Sequence, residues 1–176
     1  FGVSGSLEMS TGTSSSGNSG HFKLNTGDAT SGHSGDMDIW IGEGNTGTGG
    51  QMRVTSGWTT ARRSSGGSIS VASGYSKEMS SGNIEFRTDD AGEKGVSGWM
   101  RFRTGVATDG ASGEFVVSTG TATGGHGGDV KLSVGKGDAL DGGDVVIRSG
   151  DTSAEESQGG LITITAGDGT STSKNN

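Results

Sequence analysis

Three histidines and no cysteine are the material this chain offers for acid–base or metal chemistry: His21, His33 and His126. Hydrolytic triads and zinc sites need such groups held close to serine, cysteine or carboxylate partners, and so small a stock makes either unexpected. His33 and His126 stand 93 residues apart in matching surroundings, which reads as one exposed turn position present twice. Asp129 and Asp144, with Asp138 and Asp141 between them, are oxygen donors of the kind that calcium prefers. Their spacing differs from that of the nine-residue calcium-binding repeats, so solvated turn acids are the simpler reading. Asp129 and Asp144 stay as weak metal candidates. No catalytic residue and no cofactor is expected, and the chain reads as a non-enzyme.

Recognition has more to work with. Trp40, Trp58 and Trp99 all fall where alternation assigns an outward position, and Tyr75 shares its place with Trp58. Exposed aromatic faces suit a lateral protein contact or stacking on sugar rings; they can also simply cover neighbouring turns of chain. Val116 and Val146 are outward too and flank Lys131, while Arg87 and Arg103 are expected opposite each other on successive repeats, where like charges repel. Glu85 or Asp89 can neutralise that pair, or an external anion such as an acidic polysaccharide.

What must position these residues is a repeat. The pattern Gly, any, apolar, any, apolar, any, small, Gly recurs eleven times, led by Gly5, Gly20, Gly35, Gly50, Gly67, Gly82, Gly98, Gly113, Gly128, Gly143 and Gly160, with Asp89 the single departure at its second glycine and Ile41 and Val134 standing in its small place. Two residues on stand Leu7, Phe22, Met37, Met52, Ile69, Ile84, Met100, Phe115, Val130, Val145 and Ile162. Four residues on stand Met9, Leu24, Ile39, Val54, Val71, Phe86, Phe102, Val117, Leu132, Ile147 and Ile164. Neither row has a polar exception. Repeats of fixed period stack where a single unit cannot bury its own apolar face.

Apolar and polar residues alternate within each unit, the period of a strand with one buried face, and the glycine density excludes helix. The expectation is therefore all-β: a single-chain, thin, flattened parallel β-solenoid of about eleven rungs, mostly 15 residues each. Glycine at both corners would supply positive φ. Nine residues after each leading glycine come small residues, from Ser14 and Ala29 to Thr152 and Gly169, so a bulky wall would face a small one. Between the apolar rows the series runs Glu8, Lys23, Asp38, Arg53, Ser70, Glu85 and Arg101, its charges alternating in sign, as residues stacked in register should. A six-rung block of 93 residues then recurs: Gly2-Val3-Ser4-Gly5 matches Gly95-Val96-Ser97-Gly98, and Ala61 matches Ala154. Residues 1–167 are read as the solenoid and 168–176 as a polar tail.

Composition fits no ordinary globule. With 38 Gly, no Pro, no Cys and 27% hydrophobic residues, the chain has little apolar material for a core. A net charge of -7 argues against a nucleic-acid partner, whose phosphates need clustered Lys and Arg, and no apolar run is long enough to span a bilayer. The first residue is Phe1, which reads as a processed product or a piece of something longer. Open solenoid ends would present unpaired strand edges, so self-association is expected, both head to tail and laterally.

The units from Ser19-Gly20 to Gly32, from Ser112-Gly113 to Gly127 and from Gly142-Gly143 to Gly150 resemble the Gly/Ser/Thr-rich repeats of very large secreted or surface proteins of diatom-like microalgae. That resemblance implies an extracellular or cell-surface location and a structural role. The leading expectation is a building block of a fibre, sheath or adhesive. A surface-binding module for polysaccharide or mineral is second. Ice binding is a further alternative, set back by the lack of a flat threonine array: Thr121 and Thr123 fall on different rows from Thr163 and Thr165. A polysaccharide-lyase type of enzyme ranks below these.

Overall fold

The structure is a computed structural model that describes residues 4–169. Among the described residues there is no helix, no strand and hence no sheet. The expected β-solenoid of eleven stacked rungs is overturned. The polar tail anticipated from residue 168 lies outside the described residues from Thr170 onward, as do Gly2 and Val3. The chain divides into two units, one ending at Phe86 and the other beginning at Arg87.

The accessible surface is 19098 Å². A compact protein of 17.5 kDa would expose about 7,900 Å² and its fully unfolded chain roughly 25,000 Å². This chain lies nearer the second figure. No described residue is buried; Ser56, Ser76 and Ser149 are partly covered, and every other described residue is exposed. The two apolar rows, expected to form the interior, are between 46% and 89% exposed.

The physical reason lies in what each rung would bury. Two bulky side chains would face Ser, Ala, Gly or Thr, which return little apolar area per residue ordered. Glycine loses the most conformational freedom on ordering. A parallel ladder would also require each unit to lie about 4.8 Å from the next along its length. The chain closes short loops within each unit instead.

Those loops follow one rule. The residue six after each leading glycine approaches the next leading glycine, nine to eleven residues further on. A Cβ placed on Gly20 would lie 3.6 Å from Thr11 Cβ, one on Gly35 3.7 Å from Thr26 Cβ, and one on Gly128 3.5 Å from Thr119 Cγ2. Approach is closer at Gly50, 2.6 Å from Ile41 Cγ2, and at Gly143, 2.8 Å from Val134 Cγ1. Backbone hydrogen bonds close three loops: Gly67 N–H donates to Gly57 O at 2.8 Å, Gly82 to Gly74 at 3.0 Å and Gly160 to Gly150 at 2.9 Å. Side-chain hydroxyls help, Thr119 Oγ1 donating to Gly128 O at 3.1 Å and Ser56 Oγ to Ser68 O at 3.2 Å.

The leading glycines thus serve close approach, not positive φ. Left-handed residues sit inside the loops, at Gly17, Gly47, Gly110 and Gly124 among others, and at neither glycine corner. Two non-glycine residues join them, Arg63 at φ 61° and Glu156 at φ 58°. These two are 93 residues apart, and each follows the same device: Ala61 N–H donates to Thr59 Oγ1 at 3.1 Å, and Ala154 N–H to Thr152 Oγ1 at 3.2 Å. The 57–67 and 150–160 backbone bonds are likewise 93 residues apart. Loop geometry therefore repeats with the sequence, unit by unit.

The close approach yields a test. Gly50→Ala should push the Ile41 side chain away from residue 50, since its Cβ would lie 2.6 Å from Ile41 Cγ2. Gly49→Ala meets nothing within 4 Å and should leave the loop intact. Nuclear Overhauser contacts between the Ile41 methyls and residue 50 report the difference: lost in the first variant, kept in the second.

Candidate interaction surface

No cavity forms among the described residues, and no group of three or more His, Asp or Glu is placed to hold a metal ion. Asp129 instead forms an ion pair with Lys131, Nζ to Oδ2 at 3.1 Å. Asp144 is exposed and joins no metal-competent group. His126 Nδ1 lies 2.9 Å from Gly127 O, a contact that requires a proton on that nitrogen. No helix among the described residues is long and apolar enough to cross a membrane.

What the units present is apolar and aromatic surface. Trp40, Trp58, Tyr75 and Trp99 are all highly exposed, as are Val116 and Val146. Arg101 Cζ stands 4.5 Å from the Trp99 ring centroid, a cation on an aromatic face. Alternation alone gives Arg101 no contact role, although its place two residues after Trp99 is a usable signal. Arg103 is exposed, and Arg87, like Glu85, is engaged in an interaction. Further apolar residues outside the two rows are nearly bare, among them Met79, Val96, Val106 and Leu140.

The rows make one contact of note. Phe102 and Phe115, from consecutive repeats, stack with ring centroids 6.4 Å apart and planes at 29°. The residue four after one leading glycine thus meets the residue two after the next. Both rings stay more than 60% exposed, so the pair leaves most of its apolar surface available.

No protein-family model matches the chain, and neither a curated protein nor a solved structure matches it. The properties of the surface itself therefore carry the functional reading.

Proposed function

We propose that this chain is a structural repeat protein, an extracellular building block of a fibre, sheath or adhesive that acts by associating with further copies of itself. One observation carries the reading: two unbroken rows of large apolar side chains, none of them buried within a single copy. Patches of this extent are uncommon on proteins that work alone and mark surfaces that associate. Repeat proteins gain stability from neighbours, unit upon unit, and here the neighbour that can cover the rows belongs to another molecule. Association also offsets the ordering cost that a single glycine-rich copy leaves uncovered.

Lateral contact along the rows is the mode with support. Head-to-tail joining rested on open strand edges, and the described residues contain no strand. Sedimentation velocity over a concentration series tests the proposal. Mean sedimentation coefficient should rise steadily with concentration; a constant monomer value up to high concentration would overturn it.

A further inference from the structure

The first four charges between the apolar rows form no ion pair among the described residues. Glu8, Lys23, Asp38 and Arg53 are all exposed. Each stands between two apolar residues: Glu8 between Leu7 and Met9, Lys23 between Phe22 and Leu24, Asp38 between Met37 and Ile39, Arg53 between Met52 and Val54. Alternation without internal pairing calls for a partner carrying the opposite series.

Reversal of the same segment supplies it. Read backward, negative, positive, negative, positive becomes positive, negative, positive, negative. We infer that two copies pair antiparallel through residues 5–56, about a two-fold axis passing through the 26–35 loop, with Glu8 of each copy facing Arg53 of the other and Lys23 facing Asp38. This deepens the self-assembly reading and rests on it.

The geometry of the loops supports that register. The closures 11–20, 26–35 and 41–50 all span nine residues, so reversal carries 11–20 onto 41–50 and 26–35 onto itself. The same operation sets Leu7 against Val54, Met9 against Met52, Phe22 against Ile39 and Leu24 against Met37, apolar on apolar throughout. An isologous contact of this kind is self-complementary by symmetry. Two alternatives fare worse. Parallel copies without stagger place like on like, which is unfavourable; parallel copies shifted by one repeat leave a charge unmatched at each end.

The second half of the chain cannot form the same contact. Its four corresponding residues are Arg101, Val116, Lys131 and Val146, which contain no acid, although the closures 104–113, 119–128 and 134–143 also span nine residues. The pairing code therefore belongs to the first half, and it limits which part of a neighbouring copy can dock there. Opposite charges give specificity and encounter rate more than affinity, while the apolar rows supply the affinity.

A charge exchange in the full-length chain tests the orientation, with self-association read by sedimentation at low ionic strength. Glu8→Lys alone and Arg53→Glu alone should each weaken association about three- to tenfold, because symmetry places each change in two exposed pairs. The double variant Glu8→Lys, Arg53→Glu should recover to within about twofold of the parent, since the pair is restored with its signs exchanged. In a parallel, one-repeat stagger the double variant would instead bring like charges together, position 8 as a base against Lys23 and position 53 as an acid against Asp38. A double variant as weak as, or weaker than, the single ones therefore overturns the antiparallel pairing while leaving self-assembly standing. Failure of the parent chain to associate at all overturns both.

Discussion

Replacing Phe22, Leu24, Met37 and Ile39 together by serine should abolish concentration-dependent association over the range in which the parent chain assembles. Burial of each side chain is worth about 1.5 to 3 kcal/mol. Even if an interface covers these groups only half as well, four of them contribute roughly 3 kcal/mol per copy, and about 1.4 kcal/mol is a tenfold change in affinity. The expected weakening is at least about 100-fold. A matched control separates row position from bulk hydrophobicity. Met79, Val96, Val106 and Leu140 are more exposed than the four row residues and lie outside both rows. Serine at those four positions should change association by no more than about threefold, the range of ordinary surface substitutions. Equal losses in the two variants would mean that stickiness, not row geometry, drives assembly.

The second large effect is on the protection of the backbone. A diluted copy has little to shield its amides, since no described residue is buried and no strand pairs them. Exchange with solvent should then run within about tenfold of unstructured peptide for the apolar-row segments, the behaviour of regions whose opening free energy is close to zero. Loop-closing amides such as Gly67 and Gly160, bonded to Gly57 and Gly150 at 2.8 and 2.9 Å, should show modest slowing even in the dilute chain. Assembly buries the rows and should slow exchange there by about 100-fold or more, because ligation by a partner stabilises only the state that binds it.

Much of this organisation is legible in the sequence. The leading glycines, the two apolar rows and the 93-residue duplication can be read directly, and the duplication reappears as matching left-handed residues at Arg63 and Glu156. What periodicity cannot supply is the identity of the neighbour that covers an apolar row. Alternation of Phe22, Lys23 and Leu24 is the same signal whether the covering surface belongs to the next repeat or to another molecule, and here the next repeat does not provide it. The small residues nine positions after each leading glycine, such as Ser14, Ala29 and Gly44, are the clue that a single chain returns too little buried area. The loop closures are also legible in retrospect. Thr11, Thr26, Ser56, Ser73, Thr88, Thr104, Thr119 and Ser149 form a row of short hydroxyl side chains six residues after the leading glycines, and each meets the glycine that opens the following unit. Taken only as small corner residues, they conceal that pairing. Glycine abundance likewise suggests positive φ at the corners, whereas the corner glycines admit close neighbours and the left-handed turns lie inside the loops.

Amide hydrogen exchange at Phe22–Leu24 and Met37–Ile39, followed from the most dilute chain to the assembled state, tests the central claim most directly. Near-random-coil exchange in the lone copy, giving way to strong protection as association proceeds, is the predicted result. Strong protection of these segments in a verified monomer, unchanged on dilution, would show that one copy does cover its own apolar rows and would contradict the account.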